Sequence, residues 1–477
     1  MNGNCIQCVC IDSDIPCGGP LQGICSFITP NVDELDAMVL ESEFLLDDRL
    51  GWPTRFFNQI CICQGNFAGP DCSVCKFGWS GPRCSVKRPA KMRRNVLTLS
   101  AEEQREFRDR VALSKRTASP WLLMNITNRD NADPINSTKL NLVPTPSIYD
   151  FFVYIHLYSA RSTLINIGPN DSCDPNRHKL DFAHKGPGFT TWHRYFVMSF
   201  EQELARLGTM NSTDPIARRD GDNFALPYWD WTGAVGCPIC QNDLVGAMNA
   251  SRPVNQSVQS GNIDSESPFA EWSTFCPQRP GDLDCHICDP SVNWRDNPES
   301  PVAGGPLWRN ISDPAIEPNF SQLPSQEAVD SCLRAVDYDV WPYRQNAGRL
   351  SFRDMLEGFT DPLAAMDQTS TPAPTTTTTV PLQSTTLDLV TVTNATSNAT
   401  TTVNPVQIVF MHNLVHSYIN GSWFDVATSP NDPLFWLHHS FVDKLFELWM
   451  RKQKPTPQQY PKRGCPAGKL LSPRIFA

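Results

Sequence analysis

Ten of the chain's eighteen cysteines fall before residue 85 of 477. Such density in a short stretch reads as a disulfide-stapled module formed in an oxidising compartment. The clearest run is CICQGNFAGPDCSVCKFGWSGPRC, with Cys61, Cys63, Cys72, Cys75 and Cys84, a C-x-C opening, Gly-rich turns and a C-x8-C spacing. Cys72 and Cys75 also form a C-x2-C unit, so zinc is the alternative to disulfides there. The pairing itself is not legible in the sequence. Acceptor sequons at Asn125, Asn136, Asn170, Asn211, Asn310, Asn394 and Asn420 agree with passage through the secretory pathway. The N-terminus, MNGNCIQCVC, has neither a basic start nor an apolar h-region. The expectation is therefore a fragment, or a start at an internal methionine, with a membrane anchor beyond Ala477 left open.

Residues 1–88 form this Cys-rich module, which resembles EGF or laminin-type modules. A helical domain is expected over 95–462. SAEEQREFRDRVALSK carries Ser100 and Glu103 at the spacing of a capping box. IYDFFVYIHLYSARS and TTWHRYFVMSFEQELARLG are longer and more apolar, and read as core helices. Residues 368–404 are a Thr/Pro-rich tract with few large apolar side chains. It cannot bury enough surface to offset its ordering entropy, and reads as a disordered, O-glycosylated loop. Helical pattern resumes near Val406, and VDKLFELWMRK ends with basic residues in its last turn. The balance of 40 basic against 50 acidic side chains, a net charge of -10, argues against nucleic acid as a partner. No apolar run reaches the roughly 18 residues a membrane span needs.

Of nine histidines, His286 stands apart; the others fall in two regions, His156, His178, His184 and His193, then His412, His416, His438 and His439. His412 and His416 are four apart, on one face of a helix. His156 lies within an apolar helical pattern, and His193 at the start of the next. His184 precedes KGPG, which cannot continue a helix, so it is expected to project from a loop towards the helix of His193. His438 and His439 are expected to begin a helix after SPNDPLFWL. A single one of these would be an ordinary hydrogen-bonded core histidine; six together are not. Two sets of three imidazoles without thiolates suit copper better than structural zinc, and leave each ion an open position.

HKGPGFTTWHRYF and MHNLVHSYINGS…SPNDPLFWLHHSFVDKLFELW resemble the two copper-binding motifs of the tyrosinase family. ALPYWDWTGAVGCPIC and LSFRDMLEGFTDPL resemble two further family segments, and the Cys-rich module is similar to that of animal tyrosinases and their related proteins. The resemblance implies a mainly α fold, a four-helix bundle holding two copper ions, three histidines each. It implies His156, His184 and His193 for the first copper, and His412, His416 and His439 for the second. His439 is the seventh residue after Asp432, where the family's DPxFxxxH pattern puts its ligand. Neighbouring helical residues point about 100° apart, so His438 is expected to line the substrate pocket instead. Phe359 matches an aromatic that overhangs the family's site.

The resemblance implies dioxygen as co-substrate, with each Cu(I) able to give it one electron. Monophenols are then hydroxylated in the ortho position and catechols oxidised to o-quinones, as in melanin-type pigment synthesis. A phenol must lose a proton with an ordinary pKa near 10, so a base is needed. In the family a Glu and the Asn after the first second-site histidine are thought to hold a water for this purpose; here these match Glu357 and Asn413. The alternative for Glu357 is a carboxylate on a helix surface. The resemblance also favours disulfides over a zinc ribbon for CPIC (Cys237, Cys240) and CHIC (Cys285, Cys288), with the pairing open. Cys173 and Cys465 are unassigned. No cysteine lies two residues from His184, so no Cys–His thioether is expected.

The substrate expected from the resemblance is a small phenol or catechol such as tyrosine or dopa, in a melanosome-like lumen or outside the cell. Three other readings compete. One is a tyrosinase-related protein holding zinc, with tautomerase or no redox activity; the His438/His439 pair and Met411 look more like true tyrosinases. Another is a hemocyanin-like oxygen carrier, against which the EGF-like module argues. The third is a catechol oxidase without monophenolase activity, which Asn413 with Glu357 disfavours.

Overall fold

A computed structural model describes residues 15–27, 59–119, 124–125, 141–142, 146–160, 181, 183–249, 260–274, 306–311, 322–340, 350–363, 409–424, 426 and 428–460. The Thr/Pro-rich tract at 368–404 lies outside them, as do His178, His286, Cys173, Cys285, Cys288, Cys465 and the sequons at Asn136, Asn170 and Asn394.

The architecture is mainly α. The helices are α1 (Ala101–Arg116), α2 (Ile148–Ala160), α3 (Gly188–Leu207), α4 (Pro215–Asp220), α5 (Gln326–Arg334), α6 (Phe352–Glu357), α7 (Met411–Ile419) and α8 (Leu434–Gln453). The expected capping box of α1 forms: the Ser100 hydroxyl accepts from Glu103 N–H, and the Glu103 carboxylate accepts from Ser100 N–H.

The helices α2, α3 and α8 pack through large aromatic rings. Phe152 of α2 meets Phe196 and Phe200 of α3 at centroid distances of 5.6 and 5.1 Å, and Trp436 of α8 stacks on Phe200 at 3.8 Å. Ring pairs of this kind contribute about 0.5–1.5 kcal/mol each beyond their buried area. Arg93, before α1, ties α3 to α8 from outside by reaching Glu201 at 2.7 Å and Asp443 at 2.8 Å. α7 enters from the other side, where Phe410 N–H donates to Gly358 O at 3.0 Å and so joins the start of α7 to the end of α6.

Two expected helix starts move towards the N-terminus. The KGPG and SPNDP runs are not separators standing well before their helices. Pro187 and Pro433 occupy the N-cap positions of α3 and α8. Proline is tolerated there because the first turn has no acceptor for its missing N–H. The α3 start lies two residues before the expected Thr190 and the α8 start four before the expected His438, so His193, His438 and His439 sit in the second turn of their helices.

The Cys-rich region builds a separate small core from Cys17, Phe67, Cys72, Cys75 and Cys84. Its strands β1 (Gly23–Phe27) and β2 (Gln59–Cys63) pair antiparallel, with Gly23 opposite Cys63. Disulfides join Cys17–Cys61, Cys63–Cys72 and Cys75–Cys84, so Cys72 and Cys75 are not held for zinc. This small core docks on α4. Gly81 N–H donates to Asp220 Oδ2 at 2.6 Å, and Arg88 donates to the main-chain oxygens of Asp220 and Asp222 at 2.7 Å each. Cys237 and Cys240 bond to each other. Among the described residues, no helix is long and apolar enough to cross a membrane.

Candidate dinuclear metal centre

Two groups of buried histidines face each other in the bundle. His156, His184 and His193 form one; His412, His416, His438 and His439 form the other, with ligand atoms inside each group within 4.8 Å of one another. The groups touch: the rings of His193 and His439 stack at 4.4 Å, and those of His193 and His412 lie 6.4 Å apart. The expected elements supply them. His156 comes from α2, His193 from α3, His412 and His416 from α7, and His438 and His439 from α8. His184 comes from the loop before α3, as its KGPG context implies.

Hydrogen bonds fix most of these rings with Nδ1 protonated and the Nε2 lone pair turned to the centre. His193 Nδ1–H donates to Phe189 O at 2.8 Å, and His416 Nδ1–H to Trp423 O at 3.2 Å. His184 Nδ1–H faces the Asp181 carboxylate at 3.1 Å, and His412 Nδ1–H donates to Asn413 Oδ1 at 2.9 Å. Metal-ligating histidines characteristically have their other ring nitrogen held in this way. Asp181 is held in turn, accepting from the Ala183 and His184 N–H groups at 2.9 Å each.

The geometry fits a metal ion. His412 Nε2 lies 3.2 Å from His416 Nε2 and 3.3 Å from His439 Nε2. Nitrogens bonded at about 2.0 Å around one tetrahedral ion stand about 3.3 Å apart. His193 Nε2 is buried with no hydrogen-bond partner among the described residues, a costly arrangement that an ion would relieve. Burial drives the pKa of His193, His416, His438 and His439 well below the ordinary value, and that of His412 down to about 3; neighbouring histidines add to it. These five imidazoles are therefore neutral, the form that binds metal. Neither group contains a thiolate or a carboxylate, which is the donor set for copper rather than for structural zinc.

Glu357 is buried, at 1 % exposure, not on a helix surface. Oε1 accepts from Lys185 N–H, next to His184, and Oε2 lies 3.2 Å from the Arg353 guanidinium. Burial pushes the Glu357 pKa up to about 7, against the opposing pull of Arg353 and His184. Arg353 is itself fully buried, clasped by Asp339 at 2.9 and 3.0 Å and by Asp354 at 2.9 Å. Asn413 stands beside the Gly358 turn, where a Cβ on that glycine would come within 3.1 Å of the Asn413 Cβ. Phe359 is half-buried, one residue past that turn, with its N–H bonded to Asp354 O at 3.0 Å.

Sequence reasoning missed Asp181 and Arg353. Asp181 had a local signal in its place two residues before Ala183, the spacing of an Asx turn, which leaves its carboxylate three residues before His184. Arg353 had one in its i, i+4 relation to Glu357.

A helical bundle lined by two facing histidine groups defines the class of dinuclear metalloproteins. The profile of the common central domain of tyrosinase matches residues 146–452, a range that holds every histidine of both groups. The chain is 33 % identical over 424 residues to a tyrosinase of Felis catus, covering 89 % of this chain and 65 % of that protein. It is 32 % identical over 429 residues to a 5,6-dihydroxyindole-2-carboxylic acid oxidase of Ambystoma mexicanum, covering 89 % and 66 %. A solved polyphenol oxidase from Thermothelomyces thermophila overlaps 78 % of this chain and 72 % of its own, at 18 % identity and a TM-score of 0.39. The chain belongs to the tyrosinase family. It spans about two thirds of the length of the curated relatives it matches, and its two histidine groups fit a dinuclear copper centre.

Proposed function

We propose that the chain is a copper-dependent phenol oxidase of melanin-type pigment synthesis, acting on a small phenol or catechol within the secretory pathway or outside the cell. His156, His184 and His193 hold one ion, and His412, His416 and His439 the other. Copper supplies reversible one-electron chemistry towards dioxygen, which a redox-silent metal cannot. The observation that carries the reading is the convergence of the His412, His416 and His439 Nε2 atoms at 3.2–3.3 Å opposite the first triad. The domain division, a module over 1–88 and a copper domain over 95–462 interrupted at 368–404, belongs to the same proposal. Two separate cores support it.

The finer proposal is monophenol hydroxylation followed by catechol oxidation. The chain's own contribution is proton handling and access. Glu357, with its pKa near 7, is matched to accept a proton at neutral pH, directly or through a water. Arg353 and the Lys185 N–H hold its two oxygens, so the carboxylate is aimed before a substrate arrives. Asn413 orients the His412 ring and stands beside the Gly358 turn. Phe359 and His438 line the substrate pocket.

The test compares two substrates. Glu357→Gln should lower monophenol hydroxylation by roughly 10²–10⁴-fold, the range for a positioned general base. Catechol oxidation should fall less, because a catechol ionises more readily. Equal loss of both would indicate a damaged metal site, and no loss of either would remove Glu357 from the mechanism. The similarity to a 5,6-dihydroxyindole-2-carboxylic acid oxidase, at nearly the same identity as to the tyrosinase, supports a second reading: oxidation of a catechol-like indole without monophenolase activity. Turnover of catechols alone by the unmodified protein would favour it.

A further inference from the structure

The second histidine group has one imidazole more than a three-ligand site needs, and two of its members are neighbours in sequence. His438 and His439 are both fully buried on α8, and both offer a ring nitrogen to the cluster. Helix geometry says that only one of such a pair ligates; it does not say which one, or what keeps the other out.

The difference lies in what holds each ring. Trp231 Nε1 lies 3.0 Å from His438 Nδ1, with both residues excluded from solvent. An indole N–H is a donor and never an acceptor. Nδ1 must therefore carry a lone pair, so His438 is neutral and its proton sits on Nε2, which is buried with no hydrogen-bond partner among the described residues. This is the reverse of His184, His193, His412 and His416, whose Nδ1–H groups face acceptors and leave Nε2 open. For His438 to ligate through Nε2, its proton would have to move to Nδ1 and point head-on at the indole N–H. Ligation through Nδ1 would break the Trp231 bond and leave a buried indole donor unpaired. His439 carries no such restraint on Nε2, which stands 3.3 Å from His412 Nε2.

The segment bearing Trp231 is fixed to the same stretch of helix. Trp229 N–H donates to Leu437 O at 2.9 Å, one residue before His438. The Trp231 ring packs edge-on against Phe441 at 4.9 Å, one turn further along α8. The indole is thus held on both sides of the imidazole it addresses.

We propose that Trp231 is a positioning residue that locks His438 in the Nε2–H tautomer, excludes it from the metal and so leaves His439 as the third ligand of the second site. The lock itself belongs to the metal-free protein; only its consequence for ligand choice rests on the metal reading above.

The experiment has a metal-free and a metal-loaded arm. In the full-length protein labelled with ¹⁵N-histidine and stripped of metal, His438 should show a lone-pair resonance at Nδ1 and an N–H resonance at Nε2. Trp231→Phe, which keeps a ring in the same packing, should abolish that preference while leaving the thermal midpoint within a few degrees. A His438 signal with the proton on Nδ1 in the unmodified protein would overturn the proposal whether or not any variant folds.

In the loaded arm zinc(II) is the diamagnetic probe. Two tightly bound equivalents in the unmodified protein check the metal reading separately. His439→Ala should hold one equivalent tightly, because His438 remains locked. His439→Ala combined with Trp231→Phe should regain the second equivalent, with a metal-bound shift at His438. Retention of two equivalents by His439→Ala alone would show that His438 is free to ligate, and would overturn the assignment. Failure of the folded double variant to regain the second equivalent would do the same. A merely structural role for Trp231 predicts further loss in the double variant, not recovery.

Discussion

At the residue scale the centre depends on single nitrogen atoms. His416→Ala removes one of three convergent Nε2 atoms and leaves an apolar gap, so one of the two metal equivalents should be lost. Catechol oxidation should then fall to background, as measured by quinone formation. A variant that kept full oxidation would show that His416 is not a ligand. The histidines were legible in the sequence because their spacing and motif order carry the signal. The environment of Glu357 was less so. Arg353, Asp354 and Glu357 make a charge-rich run that reads as a solvated face. Only the folded chain reveals Asp339 clasping Arg353, which makes burial of the whole cluster tolerable. Trp231 had no local signal at all, because its partner lies 207 residues away.

At the scale of elements, the junction of α6 and α7 places the Glu357 carboxylate and the start of the His412 helix side by side. Gly358 makes that junction with a φ of 104°, and a Cβ there would lie 2.0 Å from Phe410 O. Gly358→Ala should cost at least about 1–3 kcal/mol from the backbone conformation alone, read as a lowered midpoint in chemical denaturation. Gly65 also has a positive φ, of 56°, but has nothing within 4 Å of a Cβ. Gly65→Ala should therefore cost less, and equal losses would mean that the close approach to Phe410 is not what matters. Helix existence and type were well anticipated by apolar periodicity and by the capping box of α1. The helix starts at Pro187 and Pro433 were not, because proline breaks a helix interior yet suits its first turn. Sequence pattern alone does not say on which side of the proline the helix lies.

At the scale of the whole molecule, a fold built around buried neutral imidazoles must resist acid poorly when metal-free. His412 titrates near 3 in the fold but near 6.5 when unfolded, so the unfolded chain binds the extra proton as pH falls. The stability from this group is complete above about pH 6.5 and is lost as pH falls towards 3. At pH 5.0 the loss from His412 alone amounts to about 2 kcal/mol. His193, His416, His438 and His439 shift in the same direction. Glu357, raised to about 7, works the opposite way, adding stability below its unfolded value near 4.3 and losing it as pH rises to 7. The histidines outnumber it, so denaturation of the metal-free protein should show lower stability at pH 5.0 than at 7.5. Equal stability at the two values would mean that the imidazoles are not buried neutral. The small cysteine-lined core was legible from where the cysteines cluster; its docking on α4 through Asp220 and Arg88 was not, since it joins distant segments by single polar contacts. The central claim, two facing triads that hold copper, is tested most directly by metal analysis of the purified full-length protein after loading under mixed copper and zinc supply. The account predicts two copper ions per chain. Two zinc ions, or no bound metal in a folded chain, would contradict it.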